Sequence, residues 1–142
     1  MKSSESFIFY IVFIILLFLA ERAKSDTIDY YHVYYNNVKI KEYPNDTIPI
    51  IIKKSEIKDS DTLSIRYWND TPCTNCKFYL VVIDNKKIYV KVTSTTGQGT
   101  PLSISMKDIL EWSAINLVDN FDIYYYEEKP AYPIHLFKLI FK

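Results

Sequence analysis

The chain predicts an all-β fold, an antiparallel β-sandwich of about seven strands with one short helix near residues 106–114. Three observations carry this expectation. Runs of alternating apolar and polar residues, rich in Tyr, Ile and Val, recur at roughly 8–15-residue spacing. Turn-forming clusters of Asn, Asp, Pro and Lys separate them. One S-x-x-D sequence, Ser105 to Asp108, has the form of a helix N-cap, and Ile109, Leu110 and Trp112 follow it.

The elements follow in order. Tyr30 to Tyr35 is aromatic and β-branched, which suits a half-buried strand. Asn36-Asn37 tolerates left-handed backbone and predicts a two-residue hairpin turn into Val38 to Lys41. Pro44-Asn45-Asp46 breaks the chain. Ile48 to Ile52 is a short apolar run, and Pro49 within it points to an edge position or a strand start. Ser55 to Asp61 is a polar loop. Thr62 to Trp68 sets Leu63, Ile65 and Tyr67 against Ser64, Arg66 and Trp68 on opposite faces.

Asn69 to Pro72 is a turn. Phe78 to Ile83 is apolar on both faces and predicts a central strand. Asp84 to Lys87 reverses the chain, after which Ile88, Val90 and Val92 alternate with Tyr89, Lys91 and Thr93. Ser94 to Thr100 is a polar loop holding both glycines. Leu102 to Ser105 is a short strand leading into the helix. Phe121 to Glu127 alternates again, and Ile134 to Phe141 is the last strand. Ile48 to Lys53 and Ile134 to Phe141 are the candidate edges for adding a partner's strand.

This strand rhythm resembles an immunoglobulin-like or fibronectin-III-like sandwich, without the widely spaced Cys…Trp…Cys signature of antibody domains. A small, partly open barrel is the competing architecture. A second resemblance rests on Tyr67-Trp68-Asn69-Asp70-Thr71-Pro72-Cys73-Thr74-Asn75-Cys76 running into an apolar strand. It resembles a D-T-P-C-x-x-C motif of small secreted β-rich bacterial proteins of unknown function. That resemblance implies a fold and a compartment, and no activity.

The N-terminus predicts export. Lys2 precedes an unbroken apolar run from Phe7 to Ala20, too short for a comfortable bilayer span of about 20 residues and suited to a signal-peptide core. Ala23-Lys24-Ser25 supplies small residues for cleavage, so residues 1–25 read as a signal peptide and 26–142 as one domain. The alternative is an uncleaved N-terminal anchor, in which residues 7–20 are the membrane contact. Both readings place the domain outside the cytoplasm, secreted or at the periplasm or cell surface, where disulfides persist.

Composition narrows function. The 142 residues hold 17 basic and 17 acidic side chains, and residues 26–142 are nearly neutral. That argues against a nucleic-acid partner, which needs a basic stripe. There is no G-x-S-x-G or H-E-x-x-H motif. The expectation is therefore no enzyme, no catalytic residue and no cofactor. Asn45-Asp46-Thr47 and Asn69-Asp70-Thr71 match the N-glycosylation pattern but read as turn residues.

Two features carry possible function. Cys73 and Cys76 form C-x-x-C. A structural disulfide is one reading, worth about 2 kcal/mol for so small a loop. Thiol–disulfide exchange is another, and Trp68 and Lys77 superficially resemble the residues around the thioredoxin pair. Against it, a strand follows the motif where thioredoxin has a helix to depress the thiol pKa. A metal site with His32 and His135 is a third reading, disfavoured by their distance in sequence.

The aromatic residues are the second feature. With Val33, Val38, Ile40, Leu63, Ile65, Val90 and Ile123 inward, alternation turns Tyr34, Lys39, Lys41, Arg66, Trp68, Tyr89, Lys91, Tyr124 and Tyr126 outward. Tyr34, Arg66, Trp68, Tyr89, Tyr124 and Tyr126 are the candidate binding face for a protein or glycan partner. The competing reading is that these rings only stabilise the sheets by cross-strand pairing. The resulting expectation is an exported, non-catalytic binding or structural module at the cell envelope, with a redox protein acting through Cys73 and Cys76 as the alternative.

Overall fold

The computed structural model describes residues 29–43, 48–69, 73–128 and 133–142. The leader, the Pro44 break, the Asn45 glycosylation pattern and most of the Lys129–Pro133 loop lie outside these residues. In chain order the strands are β1 (Tyr30–Tyr35), β2 (Val38–Tyr43), β3 (Ile50–Ile52), β4 (Thr62–Trp68), β5 (Lys77–Asp84), β6 (Tyr89–Thr96), β7 (Leu102–Ser105), β8 (Asn120–Glu127) and β9 (Ile134–Phe141). One helix, α1 (Met106–Asn116), joins β7 to β8. The strands form two sheets, ordered β2-β1-β4-β7 and β3-β9-β8-β5-β6. The protein is an all-β sandwich, with nine strands among the described residues where about seven were expected.

Local chemistry explains the connections. Asn36 and Asn37 take φ of 49° and 64° in the β1–β2 turn, the left-handed pair that matches hairpin twist. The Ser105 hydroxyl accepts from the Asp108 amide at 3.2 Å and starts α1. The helix runs two residues beyond its expected end and stops at Leu117, whose φ is 55°. It carries the chain from the four-stranded to the five-stranded sheet.

The core lies between the sheets. Val33, Leu63, Ile65 and Ile104 from one sheet meet Leu80, Val82, Phe121, Ile123 and Phe137 from the other. Each is at most 1% exposed. Tyr67 stacks on Tyr125 with centroids 4.0 Å apart, bridging the two sheets. The Tyr31 hydroxyl donates to the Leu136 carbonyl at 2.6 Å across the same gap. Leu136 is the extra residue of a β-bulge, since Ile123 pairs with Phe137 and Tyr124 with His135. A bulge leaves backbone groups outside the ladder, and Tyr31 satisfies one of them.

Two further bulges correct the expected inward set. In β2, Tyr34 pairs with Lys39 and Val33 with Lys41, so Ile40 is extra. Ile40 is 42% exposed and Val38, on the sheet edge, 66% exposed. Lys41, expected outward, stands opposite the buried Val33. In β6, Val82 pairs with Lys91 and Ile83 with Tyr89, which makes Val90 the extra residue. Val90 still packs against the core. Beyond it the alternation is reversed: Lys91 faces the row of Val82, and Val92 that of Val81.

The edges also differ from expectation. β9 lies between β8 and β3, and β3 covers only its Leu139–Phe141 end, so among the described residues Ile134 to Lys138 have no strand partner on that side. β3 is an edge of only three residues, paired in parallel with β9. The expected central strand, β5, does lie between two neighbours and is buried on both faces.

Candidate functional site

The sandwich splits the six candidate aromatic and basic residues into two groups of three. Tyr34, Arg66 and Trp68 stand on the outer face of the four-stranded sheet. Tyr89, Tyr124 and Tyr126 stand on the outer face of the five-stranded sheet. They do not form one surface, because β1 and β4 belong to one sheet and β6 and β8 to the other.

The first group is absorbed into a cluster of mutual side-chain contacts. Trp68 stacks on Tyr30 with centroids 4.9 Å apart, and His32 meets the same indole edge-on at 4.9 Å. His32 Nδ1 lies 3.2 Å from the Tyr34 hydroxyl. Its Nε2 lies 3.1 Å from the Glu42 carboxylate. Arg66 sits 5.5 Å from the Tyr34 ring centroid, in cation–π range. Lys39, first, and then His32 hold the Glu42 carboxyl below its ordinary pKa. Gly99, at φ +74°, closes over the indole, and a Cβ there would lie 2.6 Å from Trp68 Nε1.

The second face is open. Opposite Tyr79 stands Tyr126, and Val81 stands opposite Tyr124 and Val92. Tyr79, Val81, Tyr89, Val92 and Tyr126 line a groove of about 340 Å³ that ends at Glu127 and Glu128. It crosses β6, β5 and β8. Val81 points outward yet is only 4% exposed, whereas Tyr89 and Val92 on the far wall are 61% and 53% exposed. Burial, and then the neighbouring Tyr89 phenol to which it is hydrogen-bonded, raise the Tyr126 pKa.

Tyr124 lies outside the groove lining. It packs edge-on against His135 at 5.1 Å, and His135 Nε2 contacts Asp122 at 3.1 Å. Sequence reasoning missed Tyr79 and Val92. Tyr79 was hidden in a strand apolar on both faces, and Val92 was assigned inward because the Val90 bulge is invisible to alternation.

The Cys pair is a disulfide, Cys73–Cys76, directly before β5. Both residues pack against the core. The β6–β7 loop covers them: the Gly97 amide donates to the Cys76 carbonyl at 3.0 Å and the Gln98 amide to that of Cys73 at 3.1 Å. Gln98 Nε2 also donates to the Asn69 side-chain oxygen at 3.0 Å. Asn69 Nδ2 in turn donates to Glu127 at 2.5 Å, so this glycosylation-pattern amide is engaged within the fold. Burial raises the Glu127 pKa against the opposing effect of its Tyr125 and Asn69 donors.

His32 and His135 lie on different sheets, as β1 and β9 do. Among the described residues no group of three or more His, Cys, Asp or Glu side chains is placed to hold a metal ion. Among the same residues no helix is long and apolar enough to cross a membrane.

No protein-family model matches the chain, and no curated protein matches its sequence.

Proposed function

We propose that this is an exported, non-catalytic binding module of the cell envelope, with an immunoglobulin-like sandwich as its scaffold and the outer face of the five-stranded sheet as its binding surface. One observation carries the reading. Tyr79, Tyr89 and Tyr126 surround Val81 in a groove of about 340 Å³, while the rings on the opposite face are occupied by one another. Rigid amphipathic rings in a concave setting supply contact area at low entropic cost. Export is supported by the apolar run from Phe7 to Ala20 and by the Cys73–Cys76 disulfide, a bond that persists in oxidising compartments.

An array of envelope glycans and peptides, probed with the full chain, tests the reading. Binding is expected to be lost in Tyr126→Ala and retained in Trp68→Ala. Binding lost instead in Trp68→Ala would move the site to the other sheet.

The alternative role, thiol–disulfide exchange, predicts a labile Cys73–Cys76 bond. The covering β6–β7 loop favours a structural bond, whose reduction potential is expected below about −300 mV. A potential near about −200 mV would favour exchange.

A further inference from the structure

We infer that two copies of this chain associate by pairing β6 with β6 of the second copy, antiparallel about a two-fold axis at Thr93. The ground is the free side of β6. It is the outer strand of the five-stranded sheet, and among the described residues no strand pairs with its other side. β7 and α1 contact β6 without joining its ladder. Edge strands of soluble proteins are commonly blunted by charge, proline, a bulge or shortness. β6 has eight residues and no proline, and its bulge lies near one end, at Val90. Its one charged side chain, Lys91, is paired with Asp108 on α1 at 2.7 Å. From Val92 to Thr96 the edge is uncharged.

The ladder decides which backbone groups are free. At one end of β6 the Gly97 amide donates to the Cys76 carbonyl at 3.0 Å. Hydrogen-bonded and non-hydrogen-bonded pairs alternate in an antiparallel ladder. Counting inward from Gly97, Thr95, Thr93 and Lys91 turn their N–H and C=O groups to β5, and Thr96, Ser94 and Val92 turn theirs away. The Thr96 carbonyl already accepts from the Thr100 hydroxyl at 3.1 Å, which leaves Val92 and Ser94. One register lets two copies satisfy both residues. Val92 pairs with Ser94 of the second copy and Ser94 with its Val92, each pair exchanging both N–H···O bonds. The two Thr93 residues then face each other on the axis.

The side chains match themselves in that register. On the outer face, Val92 of each copy stands beside Ser94 of the other and diagonal to its Val92. The apolar row of Val81 and Val92 therefore continues across the axis. Val92 is 53% exposed in the single chain, so pairing removes apolar surface from water. On the inner face Lys91 stands opposite Thr95, and Thr93 opposite Thr93, a favourable strand pair. No like charges meet. An isologous interface requires a patch that is complementary to itself, and β6 meets this in hydrogen bonding, apolar contact and charge. That selects a second copy over a foreign strand. Two five-stranded sheets become one, with both Val81 grooves on the same side of it. The inference goes beyond the binding role proposed for that face and does not depend on it.

Disulfide trapping in the full chain tests this. Facing residues of a non-hydrogen-bonded pair have Cα atoms about 4.5 Å apart, a distance that a disulfide spans. Thr93→Cys is expected to give a covalent dimer, reversed by reductant, at least about tenfold faster than Ile115→Cys. Ile115, on α1, is 80% exposed and serves as the collision control. Adding Val92→Lys, which sets two ammonium groups diagonally across the axis, should slow trapping more than about tenfold. Ser94→Pro, which removes an outward N–H and spares the β5 ladder, should slow it as well. Amide exchange in the unmodified chain is the second readout. The Val92 and Ser94 amides should gain protection as chain concentration rises, while those of Thr93 and Thr95 stay protected throughout. Trapping of Thr93→Cys no faster than that of Ile115→Cys overturns the inference. So does trapping that survives both Val92→Lys and Ser94→Pro, which assigns association to another surface, residues 7–20 included. Exchange at Val92 and Ser94 that ignores chain concentration also overturns it. If an added peptide of alternating Val and Thr then slows that exchange, the edge belongs to a foreign strand.

Discussion

The two outer faces of the sandwich carry similar residues and do different things with them. On the four-stranded sheet, Tyr30, His32, Tyr34, Arg66 and Trp68 contact one another, and Gly99 seals the indole. On the five-stranded sheet, Tyr79, Tyr89 and Tyr126 surround a space that no described side chain fills. An aromatic sheet face is not in itself a binding surface. It becomes one where the rings leave complementary partners unmet, and the difference here comes from what lies over each sheet. The β6–β7 loop folds back on Trp68 through the Gly99 amide, which donates to the Tyr67 carbonyl at 3.2 Å. Among the described residues no loop folds back in this way over Val81, which its neighbouring side chains leave 4% exposed.

The largest effect is expected where the open face is anchored. Asp84 is fully buried at the β5–β6 turn. Its carboxylate accepts from the Lys86 and Ile88 amides at 2.9 Å each and from Trp112 Nε1 at 3.2 Å. Asp84→Ala should lower stability by about 3 kcal/mol in urea unfolding, since buried donors lose a charged acceptor. It should also weaken groove binding, because Tyr89 follows that turn.

Next comes the sealed face. Gly99→Ala should cost about 2 kcal/mol from the left-handed backbone alone, with a shifted Trp emission spectrum and groove affinity intact. Replacing Cys73 and Cys76 together by Ser should cost about 2 kcal/mol, again with the groove preserved at 25 °C. If either change abolished groove binding, the two faces would not be independent.

A smaller stability effect is expected on the open face itself. Tyr126→Ala should cost less than about 1 kcal/mol, the range of a cross-strand pair, while removing ligand binding. The smallest effect concerns Glu42. Lys39 and His32 depress its folded-state pKa, so its contribution is present above the unfolded carboxyl pKa and fades as pH falls through the depressed value. Urea midpoints between about pH 5 and pH 3 should fall less steeply in Glu42→Gln. An unchanged slope would show that the Glu42 contacts on the sealed face do not contribute to stability.

Much of this was legible in the residues. Strand content, the Asn36-Asn37 hairpin, the Asp84–Lys87 turn and the Ser105 cap are local effects, decided by side-chain sterics and hydrogen bonds within a few positions. Leu63, Ile65, Tyr67 and Ile123 were assigned to the core correctly, because no bulge interrupts the paired stretches of β4 that contain the first three, nor the pairing of Ile123 with Val82. Six binding-face residues were named, and three of them, Tyr34, Arg66 and Trp68, proved to lie across the sandwich from the groove.

What remained beyond reach has a single physical origin. Alternation gives the face of each residue only within an uninterrupted ladder, and the extra residues at Ile40, Val90 and Leu136 shift the pairing by one. A bulge is set by how a strand meets its neighbour, so Ile40 lay exposed and Val92 turned outward against their pattern, while Val38, opposite Tyr35 in the inner row, is exposed by its place on the edge strand. The assignment of strands to sheets is likewise non-local: β9 lies between two strands only because β3, more than eighty residues earlier in the chain, pairs along its end. Composition and period established a β-rich chain with tyrosine faces. Which face was sealed, and which left a groove, depended on contacts between residues far apart in sequence, such as Gly99 on Trp68 and Tyr126 beside Tyr79.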